Sequence, residues 1–217
     1  MSPVASPQPQ LSSRQVSAAA ENLAAAQFSL FGFDVLEQAG RARFVYDLGV
    51  AKSGGMMKVL VHGSLDGFWD LVEAYLEGTP GLKTTRADYH RAIDMWLEHH
   101  GSRVICCLVK FESDDLRHTP RIYLARAAEI AEKLHEVTDY FGASFLCEEY
   151  EIVDSYGSRR VESLPEKWRF SQARIAELMQ RPEGEKPLRF QFSTAATCAT
   201  CAQSQPAACL NCGPMMN

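Results

Sequence analysis

The sequence has no long apolar run, no excess of positive charge and none of the short motifs that announce a phosphate loop or a common hydrolase. Its longest apolar stretches, such as residues 104–109, fall far short of the roughly 20 residues that a membrane-spanning helix needs. A net charge of −5 argues against a domain that coats nucleic acid by bulk electrostatics, although it leaves room for a local basic groove. The densest basic region, Arg159, Arg160, Lys167, Arg169 and Arg174, is interleaved with acidic residues and reads as a solvated mixed-charge surface. No glycine-rich phosphate loop, G-x-S-x-G or H-E-x-x-H occurs. Residues 1–13 are rich in Pro, Ser and Gln without a basic segment, and Arg14 and Glu21 interrupt the Ala-rich stretch after them. That pattern is not a signal peptide, so a cytoplasmic location is the expectation.

What is present fits one ordinary domain with tails: 217 residues, 46% hydrophobic and 23% charged. Apolar spacing predicts a helix over residues 13–31, capped by Ser12 or Ser13 and stopped by Gly32. A short strand, "FDVLE", is expected at 33–37, then a hairpin with strands near 44–51 and 56–62. Residues 66–78 read as a short helix or an inserted lid. A helix over 89–101 carries Tyr89, Ile93, Trp96, Leu97 and His100 on one face. "RVICCLVKF" is a continuous apolar run, the pattern of a strand covered on both faces. A strand at 121–124, a helix through Ala127 to Val137, a strand at 144–153 and a helix over 171–180 complete the order. Mixed helix and strand around a central buried strand means a sheet between helices, an α/β domain over residues 13–180. Residues 1–12 and 181–217 are expected to be flexible.

The hairpin carries the chemistry. Asp47 stands on its first strand; Lys58, Leu60 and His62 share one face of the second, because strand side chains alternate. The segments "ENLAAAQFSLFG" (21–32), "YDLGV" (46–50), "VLVH" (59–62) and "MWLEHHGSRVICCLVKF" (95–111) follow one another in an order that resembles the PD-(D/E)xK, or restriction-endonuclease-like, superfamily. The resemblance is to its uncharacterised bacterial branches, and "RIYLARAAEIAEKL" and "LPEKWRFSQARIAEL" resemble the C-terminal half of such proteins. It implies a mixed sheet flanked by helices. It also implies a Mg²⁺ held by carboxylates, here Glu21 and Asp47, that activates water for phosphodiester hydrolysis. The family's second strand reads (E/Q)-x-K, and this chain has Leu60 and His62 at those places. Leu60 cannot bind a cation, and His62 replaces the lysine, with Lys58 as a candidate stand-in. The catalytic motif is thus degenerate.

From the resemblance follows a nuclease-like module in bacterial DNA handling or defence, binding nucleic acid (DNA before RNA) or a protein partner. An active Mg²⁺-dependent nuclease is the alternative. No membrane contact is expected, and the oligomeric state is open.

Seven cysteines fall into two groups. Cys106, Cys107 and Cys147 lie in apolar runs and are expected to be buried thiols. Cys198, Cys201, Cys209 and Cys212 form paired C-x-x-C units, each offering two thiolates about one tetrahedral edge apart. A Zn²⁺ site is the leading expectation, with Cu⁺ or an Fe–S cluster behind it. A redox-active dithiol, an unstructured segment and a substrate for modifying enzymes are the alternatives, so the tail on an inert scaffold is a further functional reading. Among the histidines, His90, His99 and His100 sit on or beside the 89–101 helix and are read as complementing its dipole. His118 and His135 have no evident partner. Metal analysis of the intact chain should find stoichiometric Zn²⁺ that is lost on truncation after Arg181; equal metal in both proteins would remove the tail site.

Overall fold

The computed structural model of the chain describes residues 11–37, 46–76, 84–112, 118–153 and 156–180. The chain divides after Gln180, and the Cys198, Cys201, Cys209 and Cys212 site lies outside the described residues.

The first helix, α1 (Ser13–Leu30), starts where Ser12 and Gln15 form a reciprocal capping box. Val16, Ala20, Ala24 and Phe28 form its buried stripe. Strand β1 (Asp34–Glu37) leads to the hairpin β2 (Leu48–Lys52) and β3 (Gly55–Ser64). Lys52 pairs with Gly55 across a two-residue turn in which Ser53 (φ 52°) and Gly54 (φ 80°) both take left-handed backbone. That is the conformation which matches the twist of a tight hairpin. The remaining elements are β4 (Phe68–Trp69), α2 (Arg86–His100), β5 (Ile105–Lys110), β6 (Arg121–Arg126), α3 (Ala127–Phe141), β7 (Leu146–Cys147), β8 (Glu149–Val153), β9 (Arg159–Ser163) and α4 (Gln172–Met179).

The main sheet has five strands in the order β1-β2-β3-β5-β6, antiparallel except for the parallel β3–β5 pair that α2 connects. Alternation along β3 and β5 sorts their side chains into two layers. Met57, Val59, Val61, Ile105, Cys107 and Val109 pack with α1 and with Ile175 and Leu178 of α4. Leu60, Cys106 and Leu108 pack with Trp96 of α2, with Ile130 and Leu134 of α3, and with Trp69 and Trp168. The chain is therefore an α/β domain with a mixed sheet between helices, and β5 is covered on both faces as its continuous apolar run requires. Cys106 and Cys107 are fully buried free thiols, and burial pushes Cys106 up to about 12.

Two of the expected elements change. Residues 66–76 form neither a helix nor a lid. Gly67 turns with φ 79°, Ser64 Oγ accepts hydrogen bonds from the N–H groups of Gly67 and Phe68, and Trp69, Leu71 and Val72 insert into the core. A single 3₁₀ turn, Glu73–Tyr75, is all the helix there is. The strand expected at 144–153 is broken in two at Glu148. This carboxylate is buried and takes Arg121 Nε at 2.5 Å, Lys110 Nζ at 2.7 Å and the Tyr123 hydroxyl. Burial raises the Glu148 carboxyl, but its three partners outweigh that and hold it at about 2. Beyond it, β8 pairs with β9 in a separate hairpin that apolar spacing did not indicate.

Most of the basic cluster behaves as a mixed-charge surface: Arg159 pairs with Glu151, Arg160 with Glu162, Lys167 with Glu129 and Arg169 with Glu166. Arg174 does not. It is buried, donates to Leu124 O at 3.0 Å, and pairs with Glu129 and Glu177.

The closest approach of α1 to the sheet is at Gly63, where an added Cβ would lie 2.7 Å from Val16 O and 2.9 Å from Ala20 Cβ. Gly63→Ala must push α1 off the sheet, and a loss of about 1–3 kcal/mol in urea denaturation is expected.

Candidate functional site

The hairpin places Asp47 immediately before β2, and its carboxylate does structural work. Asp47 N donates to Val59 O at 2.9 Å. Two residues further along β3, Val61 N donates to Asp47 Oδ2 at 2.7 Å. The side chain thus supplies the acceptor that the next residue of β2 would supply if the ladder continued. The paired register ends at Leu48↔Val59. Asp47 lies close enough to Cys106 and His100, on the Leu60 side of the sheet, for its charge to act on them.

What the four places hold differs from a cation site. Leu60 is buried beside Cys106 in the layer that contains Trp69 and Trp96, so the second-ligand position belongs to the core. Lys58 is exposed, with Nζ 5.1 Å from the centre of the Tyr46 ring. Glu21 is half-buried on α1, the helix that packs on the face of the sheet opposite Leu60. Among the described residues no three His, Cys, Asp or Glu side chains are placed to share one ion. Of Asp47, Lys58, Leu60 and His62, only Asp47 offers a carboxylate oxygen of the kind a Mg²⁺ ion takes as ligand.

A different constellation forms instead. His100, the last residue of α2, lies close enough to Asp47 and His62 for its charge to act on both. Its Nε2 is 3.3 Å from the Tyr75 hydroxyl, and its ring centre is 5.4 Å from that of Trp96. Burial raises the Asp47 carboxyl above its ordinary value, against the pull of the Val61 N–H and of His100. Burial, with a smaller contribution from His100, pushes the His62 imidazole down to about 4. His62 is thus neutral near pH 7 and offers no fixed positive charge in the place of a lysine. Its Nε2 is shielded from solvent and has no hydrogen-bond partner among the described residues. The Trp69 indole donates to His62 O at 3.2 Å and holds the following segment down.

Sequence reasoning identified Asp47 and His62 as neighbours, and it missed His100 and Tyr75. The signal for His100 was its position just before Gly101, where α2 hands the chain to β5 beside β3. Its place on the same helix face as Trp96 was legible, but its approach to Asp47 and His62 was not. No protein-family model, no curated protein and no solved structure matches the chain.

The His62 shift has a definite sign. In the unfolded chain the imidazole takes up its proton near pH 6.5, and in the folded chain near 4. Between these values the unfolded state binds more protons, so the contribution is intact above pH 6.5 and is lost as pH falls toward 4. Wild type should lose roughly 3 kcal/mol more than His62→Gln across that window in urea denaturation. Asp47, shifted upward, acts in the opposite sense in both proteins. Parallel pH profiles for the two would show that His62 is not the titrating group.

Proposed function

We propose that the chain is a restriction-endonuclease-like domain of the PD-(D/E)xK kind that no longer cleaves, and that serves as a binding or accessory module in bacterial DNA handling or defence. The observation that carries this reading is the fate of the second-ligand position. Leu60 is a core residue, and the Asp47 carboxylate beside it is committed to the Val61 N–H. A carboxylate pair that shared a cation would have to rebuild both contacts. His62, half-buried and neutral near pH 7, supplies neither a ligand set nor the positive charge that steadies an attacking water.

Charge favours a protein over a nucleic acid as the bound partner. Across Arg159, Arg160, Lys167, Arg169 and Arg174, every cation has an acidic partner, so phosphates meet no surplus there. DNA binding, if found, is expected to be weak and to fall steeply with salt.

The test is a cleavage assay with single- and double-stranded DNA and with RNA, in Mg²⁺ and in Mn²⁺. No cleavage above background is expected from wild type, while partner binding should survive Asp47→Ala at a stability cost of about 1–3 kcal/mol. Divalent-dependent cleavage that disappears in Asp47→Ala would overturn the proposal and establish an active nuclease.

A further inference from the structure

A second polar constellation sits away from the hairpin, between α2 and α3. Each helix carries the same spacing, His90-x-x-x-Asp94 on α2 and His135-x-x-x-Asp139 on α3. The pairs cross over between the helices. His90 Nε2 lies 3.0 Å from Asp139 Oδ1, and His135 Nε2 lies 3.2 Å from Asp94 Oδ1. Residues later in one helix thus meet residues earlier in the other, as an antiparallel pair requires. Between them, His90 Nδ1 and His135 Nδ1 approach to 2.6 Å. The ring centres are 4.9 Å apart and the planes only 15° from parallel. That separation exceeds the nitrogen–nitrogen distance by the two ring radii, so the rings lie edge to edge and the nitrogens point at each other.

Proton counting shows what this arrangement lacks. A carboxylate only accepts, so each outer contact needs its proton on Nε2. A neutral imidazole carries one N–H, which leaves both Nδ1 atoms as lone pairs aimed at one another. Two lone pairs at that distance repel unless a cation sits between them. Carboxylates on the outer nitrogens are also the usual support for metal-bound histidine: they fix the tautomer and raise the basicity of the inner nitrogen.

We propose that His90 and His135 form a binding site for a divalent transition-metal ion. The two Nδ1 atoms are its protein ligands, water fills the remaining positions, and Asp139 and Asp94 orient the rings. Imidazole pairs suit Ni²⁺, Cu²⁺ and Zn²⁺. An ion held by both nitrogens at about 2.0–2.1 Å in tetrahedral geometry sets them about 3.3 Å apart with their lone pairs converging at about 109°. The gap therefore opens by less than an ångström while each ring swings by about 35° from its present head-on alignment. All four side chains reach the surface, the two aspartates at 67% and 71% exposure, so rotation of the side chains supplies the difference. A bound ion clasps α2 to α3, the two helices over the Trp96 side of the sheet.

The probe is Ni²⁺, added to untagged full-length protein in which Cys198, Cys201, Cys209 and Cys212 are replaced by Ser so that tail thiols do not compete. Calorimetry should show one saturable Ni²⁺ per chain and a raised Tm, both abolished by His90→Ala and by His135→Ala. Asp94→Asn combined with Asp139→Asn should weaken binding about 10–100-fold while leaving both ligands in place. His118→Ala, at an exposed imidazole elsewhere, should leave binding unchanged. No saturable binding, or binding that persists in His90→Ala, overturns the proposal; the first result would assign the space between the rings to a shared proton alone.

Discussion

The parallel pairing of β3 with β5 governs most of what this molecule can do. Both strands are covered on each face, so every side chain along them must enter one of two apolar layers or stop at the rim. Odd positions of β3 face α1 and even positions face α2. That alternation makes Leu60 a core residue and brings Asp47 and His62 to one side. It also lets α1 approach so closely that only glycine fits at position 63. The same pairing requires a crossover, and α2 provides it. His100 consequently arrives at the end of the sheet where Asp47 caps the short edge of β2.

The polar groups at that end show how a fold can keep an acidic residue while changing its work. Asp47 completes the hydrogen bonding of β3, and its carboxyl is raised by burial. A group tuned to hold a hard cation is ordinarily exposed to several oxygen ligands and to water. The surroundings here are two imidazoles, a tyrosine hydroxyl and tryptophan rings. Buried charges elsewhere are fully met: Glu148 has three donors, and Arg174 has two carboxylates and a carbonyl. The open Nε2 of His62 departs from that pattern, which makes it a sensitive position for acid stability.

Much of the architecture was legible because it rests on local periodicity. The capped α1, the Ser53-Gly54 hairpin, the continuous apolar β5 and the striped α3 lie close to where spacing and turn residues put them. Departures occur where a tertiary contact outranks local pattern. Residues 66–76 have helical-looking spacing, but Ser64 Oγ captures two backbone N–H groups and Trp69 pairs with Leu146 instead. Glu148 interrupts an apparently single strand because Lys110, Arg121 and Tyr123, distant in sequence, converge on it. Arg174 looks like one more surface cation until Leu124 O and Glu129 enclose it.

By itself the sequence determined the α/β class, the hairpin, the burial of β5 and the shared face of Lys58, Leu60 and His62. These depend on alternation and turn chemistry within a few residues. Only the tertiary structure decided that Asp47 caps β3, that His100 and Tyr75 join His62, and that His90 meets His135 across two helices. Such contacts are set by how helices and strands pack, and residues 45 positions apart carry no local signal of one another.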